Sequence, residues 1–183
     1  GPELQFGHEV ADHYKDDKIL IIKTAWDGKN LYQDFRPPGS SGSTGPYYAK
    51  MISRIYEVLD DIENFYPDYQ GEGYEIAGFG WHQGWNDRTQ TEARDQYQEN
   101  CVNLINDIRN EFNSPSMPFI IASTGMTGWS DTRDEATSLL YAQMAVADDD
   151  RLNEKSNVVA IDTRDFWRDE TISPASIDYQ WNS

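Results

Sequence analysis

Four short runs of unbroken apolar residues limit the fold of this chain more than any other feature. They are Ile19-Leu20-Ile21-Ile22, Ile76-Ala77-Gly78-Phe79-Gly80-Trp81, Phe119-Ile120-Ile121-Ala122 and Val158-Val159-Ala160-Ile161. None alternates polar with apolar, which is the pattern of strands buried on both faces of a parallel sheet. Helical periodicity fills the intervals. After Pro46, the residues Tyr48, Met51, Ile52, Ile55, Leu59 and Ile62 recur at three- and four-residue steps and form one stripe. From about Thr91, the set Tyr97, Cys101, Leu104, Ile105, Ile108 and Phe112 does the same, and a third helix is expected from Asp134 to Asp148. Pro2 and Glu3 suit the first turn of a short opening helix ending near Tyr14. Strand–helix alternation over 183 residues predicts a single α/β layered domain with right-handed crossovers.

Charge narrows the partners. The chain carries 32 acidic against 15 basic residues, a net charge of −17, which repels phosphate backbones and anionic headgroups and argues against nucleic-acid or peripheral membrane binding. Aromatics at 13% supply enough core material to argue against disorder. No run approaches the ~18 apolar residues of a membrane span. Cys101 is the single cysteine, so no internal disulfide forms, and its place among helical apolar positions reads as a small buried thiol. Gly1-Pro2-Glu3-Leu4 does not resemble a signal peptide. A cytosolic protein and a mature or truncated piece of an exported one both fit; the reading leans towards a secreted or periplasmic protein.

The stretch Gly78-Phe79-Gly80-Trp81-His82-Gln83-Gly84-Trp85-Asn86-Asp87 carries the chemistry. A strand ends there in a loop that gathers Gly, Asn and Asp, at the edge of an α/β sheet where ligands bind. Gly84 lets the backbone turn sharply and approach a ligand, and Asn86 offers an amide donor. Acyl transfer needs such donors to hold a tetrahedral oxyanion. On these residues alone, an Asn-Asp turn that caps the next helix is the alternative. Residues 25–45, with Pro37-Pro38-Gly39-Ser40-Ser41-Gly42-Ser43 at their centre, read as a loop over a ligand cleft, or else as a flexible linker.

Gly84-x-Asn86-Asp87 resembles the third sequence block of SGNH hydrolases, whose Gly and Asn donate to the oxyanion. The wider Trp81-His82-Gln83-Gly84-Trp85-Asn86 is similar to the Trp-aromatic-Gln-Gly signature of the sialate O-acetylesterase-like and acetylxylan esterase branch. Lys23-Thr24-Ala25-Trp26-Asp27-Gly28-Lys29 resembles the second block, where a backbone N–H supplies a further donor; Asp27 stands at the first Gly of the family's usual pair. Gly1-Pro2-Glu3-Leu4 and Asp34-Phe35-Arg36-Pro37-Pro38 also resemble family segments. The resemblance implies a flavodoxin-like three-layer α/β/α fold. It also implies an oxyanion hole from Gly28, Gly84 and Asn86, and a substrate cleft shaped by Trp26, Trp81, His82, Gln83 and Trp85. Aromatic residues there suit either sugar stacking or the core.

The departures from the family are specific. Its first block, the Gly-x-Ser turn that carries the nucleophile, has no counterpart in this sequence, and Trp85 stands where relatives have Glu. Gln180, in Ile177-Asp178-Tyr179-Gln180-Trp181-Asn182, occupies the place of the catalytic His; a glutamine takes up no proton at neutral pH and cannot act as a general base. His82 reads as a cleft wall or substrate contact, and His8 and His13, five apart, as surface residues. Ser123 ends a strand without a Gly-x-Ser-x-Gly elbow and reads as a loop or cap residue. Asp148-Asp149-Asp150 lacks a cation-loop pattern and reads as a solvated helix end. In a flavodoxin-like strand order of 2-1-3-4-5, the four runs would be strands 2, 3, 4 and 5, so the central first strand is missing. An upstream segment or another chain would then complete the sheet. The expected activity is removal of acetyl or similar groups from an acylated carbohydrate, with no metal or organic cofactor implied. A catalytically inactive sugar-binding or structural subunit of a larger assembly is the alternative.

Overall fold

The computed structural model describes residues 2–153 and 157–168. Seven α-helices and three strands occur among them: α1 (Pro2–His13), α2 (Pro46–Leu59), α3 (Ile62–Phe65), β1 (Phe79–Trp81), α4 (Thr91–Asp95), α5 (Tyr97–Glu111), β2 (Phe119–Ala122), α6 (Asp134–Ala145), α7 (Asp150–Asn153) and β3 (Val158–Ile161). The backbone divides into two compact units, Gly1–Asp27 with Lys50–Glu72, and Gly28–Ala49 with Gly73–Ser183.

The second unit holds the sheet. Its strands lie in the order β1-β2-β3, all parallel, with Phe79 opposite Phe119 and Phe119 opposite Val158. The fold class is therefore α/β with an open parallel sheet, as the sequence predicts. Successive side chains point to opposite faces. One face carries Phe79, stacked on Phe119 with ring centroids 4.9 Å apart, together with buried Trp81 and Ile121. The core lies on this side, where α5 buries Tyr97, Cys101, Val102, Leu104, Ile105 and Ile108 and α6 buries Leu139 and Leu140. Arg109 of α5 donates through Nε and Nη2 to the Met117 carbonyl, tying the helix to the approach of β2.

The other face corrects one expectation. Gly80, Ile120, Val159 and Ile161 are exposed there, so these strands are buried on one face, not on both. A second correction concerns the run at 19–22, expected to be a strand. It carries no regular secondary structure, and Leu20 and Ile21 are exposed. A strand requires a neighbour to take up its backbone N–H and C=O groups, and among the described residues none pairs with this run. The expected strand at 76–81 shortens to Phe79–Trp81, and among the described residues β1 pairs with β2 alone.

The helices follow their sequence stripes with breaks: the stripe read from Tyr48 to Ile62 is α2 as far as Leu59, and Ile62 opens α3. The stretch read as one helix from Thr91 is α4 and α5, broken at Gln96; that read from Asp134 to Asp148 is α6 plus a 3-10 turn over Val146–Asp148. In the first unit, α1 buries no residue, and exposed ion pairs join Lys23 to Glu3 at 2.7 Å and Lys18 to Glu72 at 3.0 Å.

Candidate active site

Two bends of the second unit meet. One is the loop leaving β1, from His82 to Asp87; the other is the segment from Gly28 to Tyr32. Gly28 adopts φ +70°, and a side chain there would begin 3.8 Å from Asn86 Nδ2. Gln83 bridges the bends, since its Nε2 donates to the Lys29 carbonyl at 3.0 Å and to Asp87 Oδ2 at 2.7 Å. The Asp87 carboxylate accepts from the Leu31 N–H at 3.0 Å through both oxygens, and from the Tyr32 N–H at 3.0 Å. Asp87 is fully buried. Burial pushes its carboxyl up to about 6, against the downward pull of the hydrogen bonds from Gln83, Leu31 and Tyr32. This aspartate thus fixes the second bend under the first.

A polar cluster fixes the bend of the first loop from below. Gln143, fully buried on α6, donates through Nε2 to the Gln83 carbonyl at 2.9 Å. Its Oε1 accepts from the Thr124 N–H at 2.9 Å and the Thr124 hydroxyl at 3.0 Å. The Tyr97 hydroxyl donates to the Gln83 carbonyl at 2.6 Å and accepts from Trp81 Nε1 at 3.2 Å. Burial drives its pKa well above the ordinary tyrosine value, so it stays a donor. Gly84 is required by close approach: a Cβ there would lie 2.3 Å from Gln143 Nε2 and 3.1 Å from Thr124 Cγ2.

The sequence-predicted site residues within the described range each have a definite place. Gly28, Gln83, Gly84 and Asn86 come together. Asn86 is half-buried, does not cap the 3-10 turn that follows it, and its side-chain amide bonds no group among the described residues. Trp85 is half-buried with the Arg88 guanidinium 3.8 Å from its ring centroid. Trp81 is 6% exposed, in edge contact with Phe35 at 5.4 Å, and belongs to the core wall beneath the loop. His82 is exposed. Trp26 lies in the first unit, where Lys50 Nζ sits 4.9 Å from its ring. With Ile22, Arg54, Val58 and Phe65 it lines a hollow of about 240 Å³. Gln180 lies outside the described residues.

Ser123 sits in a structural clamp. It is 1% exposed, its hydroxyl accepts from the Thr163 N–H at 3.1 Å, and it clamps the ends of β2 and β3. Cys101 is buried, and burial pushes its thiol up. Asp149 pairs with Arg151 at 2.8 Å. No group of three or more His, Cys, Asp or Glu among the described residues is placed to hold a metal ion, and no described helix is long and apolar enough to cross a membrane. Asp87, Tyr97, Thr124 and Gln143 form the supporting network that sequence reasoning missed. Gln143 was detectable as a polar residue on the apolar stripe of α6.

Parallel strands that end in a polar, hydrogen-bonded loop define an open-sheet α/β domain, and comparison with known proteins supplies the family. Residues 1–172 match the family model for carbohydrate esterase, sialic acid-specific acetylesterase, and the chain belongs to that family. A search of curated proteins returns no match. Among solved structures, a protein from Arabidopsis thaliana is similar at a TM-score of 0.53 and 22% identity, a likeness of fold. The match covers 79% of this chain and 48% of that one, so the chain spans about half the length of the plant protein.

Proposed function

We propose that this chain supplies the oxyanion-stabilising side of an O-acetyl-esterase acting on an acylated carbohydrate. The backbone N–H groups at Gly28 and Gly84 and the Asn86 side-chain amide are the donors. A single observation carries the reading. A Cβ placed on Gly28 would lie 3.8 Å from the unengaged Asn86 side-chain nitrogen, so the two residues face each other on bends that Gln83 and Asp87 hold together. Donors pinned before the substrate arrives need no reorganisation when negative charge develops on the carbonyl oxygen.

The nucleophilic Ser comes from an upstream segment or another chain that adds a strand beside β1, whose second edge has no partner among the described residues. Trp85 and His82 flank the acyl group, while Trp81 and Gln83 position the loop. The test uses the full-length protein and 4-nitrophenyl acetate. Turnover is expected, and Asn86→Ala should lower kcat by about 10²–10³ with KM little changed. Wild-type protein that neither turns over the ester nor reacts with a serine-directed phosphonate would overturn the esterase reading. That outcome would leave the second one, an inactive sugar-binding subunit, which is favoured by Trp85, with its aromatic side chain, standing where relatives have Glu.

A further inference from the structure

The turns after β2 and β3, and helix α6, present exposed aromatic residues that the esterase reading leaves unused. Trp129 and Tyr141 are each 62% exposed and Phe166 is 59% exposed. Scattered exposed apolar side chains are ordinary, but the Trp129 indole is held from two directions. Its Nε1 donates to Asp165 Oδ1 at 2.7 Å, and the Arg164 guanidinium carbon lies 3.7 Å from its ring centroid, covering one face. Arg164 is fixed in turn by Asp162, to which its Nε donates at 3.0 Å and with which its Nη2 forms an ion pair.

The backbones beneath are interlocked. A Cβ at Gly125 would lie 2.3 Å from Thr163 Oγ1, and one at Gly128 would lie 3.2 Å from Trp167 Cβ. Thr127, just before the turn that carries Trp129, is left-handed at φ +66°. An aromatic ring presented rigidly loses little entropy when a ligand stacks on it. The place is also informative. This loop begins at Thr124, whose N–H and hydroxyl hold Gln143, and Gln143 holds the carbonyl beside Gly84. The ring therefore sits on the same strand-end edge as the candidate oxyanion loop, which is the ligand edge of an open α/β sheet.

We propose that the uncovered face of Trp129 is a stacking subsite for a neutral pyranose, one sugar unit of the glycan that bears the acyl group. The proposal rests on the carbohydrate-esterase reading and narrows it to oligomeric substrates. A pyranose offers a face of C–H groups to the electron-rich ring face. Two carboxylates, Asp162 and Asp165, stand beside one guanidinium in a chain of net charge −17, and that balance disfavours an acidic sugar at this point.

The experiment follows the Trp129 indole resonance of the full-length protein by ¹H–¹⁵N NMR during titration with unacetylated xylotetraose, cellotetraose and tetragalacturonic acid. At least one neutral tetramer should shift it with millimolar affinity. Trp129→Ala should weaken that binding about tenfold, Trp129→Phe should keep most of it, and tetragalacturonic acid should leave the resonance in place. Turnover of 4-nitrophenyl acetate by Trp129→Ala should match wild type, because this ester carries no sugar to stack on the ring. A resonance unmoved by both neutral tetramers, equal binding by Trp129→Ala, or a shift with the acidic tetramer alone would overturn the subsite. Absence of ester turnover in the wild type strikes the esterase reading instead, and the titration still decides the subsite.

Discussion

Asp87 shows how one side chain can serve the site without touching substrate. It accepts hydrogen bonds from Gln83, Leu31 and Tyr32 while fully buried, and burial raises its pKa from 3.8 to about 6. Between those values the folded protein binds more protons at this group than the unfolded chain does. Its contribution to stability is therefore fully present below about pH 4 and is lost as pH rises through about 6. Other carboxylates run the opposite way: Glu72 is held down to about 2, first by backbone hydrogen bonds. The difference between wild type and Asp87→Asn isolates the Asp87 term. Urea unfolding from pH 4 to 7 should show wild type losing stability relative to the variant by a few kcal/mol, and parallel curves would refute it. Gly84→Ala acts at the same scale through sterics. Its Cβ displaces Gln143 Nε2 from the Gln83 carbonyl, and urea unfolding should register a loss of about 1–3 kcal/mol.

At the scale of elements, α6 is a helix whose polar residue does more than its apolar ones to build the site. Gln143 joins the ends of β1 and β2 by bonding Gln83 and Thr124. In Gln143→Leu a similar volume remains, but the Thr124 N–H loses its acceptor. Its hydrogen exchange should accelerate by about tenfold or more, while the amides of α5 stay protected; unchanged exchange at Thr124 would contradict this. Much of this layer was legible from periodicity. The stripes of α2, α5 and α6 gave their helices, and three of the four apolar runs are strands. The run at 19–22 was misread because apolarity records a wish for burial and not a partner, and pairing is a property of two segments. The local geometry was legible where residue type dictates it, at Gly28 with its positive φ and at Gly84 with its close approach to Gln143. It was opaque where a tertiary contact assigns the role, as at Gln143, which bonds Gln83 and Thr124 across two strand ends.

The whole molecule sets 32 acidic residues against 15 basic ones. A net charge of −17 on 183 residues opposes compaction, and the ion pairs that relieve it are mostly exposed, such as Lys18–Glu72 and Arg54–Glu57. Exposed pairs contribute about 0–1 kcal/mol each, so screening them sacrifices little, while the same screening weakens repulsion summed over every acidic pair. Salt should therefore stabilise the fold, and the melting temperature should rise by several degrees between about 0.05 and 0.5 M NaCl. Repulsion also opposes association of copies of the chain, although one edge of β1 has no partner among the described residues and the sheet exposes Ile120, Val159 and Ile161. An open edge and an apolar face are where strands from other chains add. Sedimentation velocity on the 183-residue chain should thus show association that strengthens with both salt and protein concentration. A melting temperature that falls with salt, or a sedimentation coefficient indifferent to it, would mean that local ion pairs outweigh the long-range repulsion on which this expectation stands.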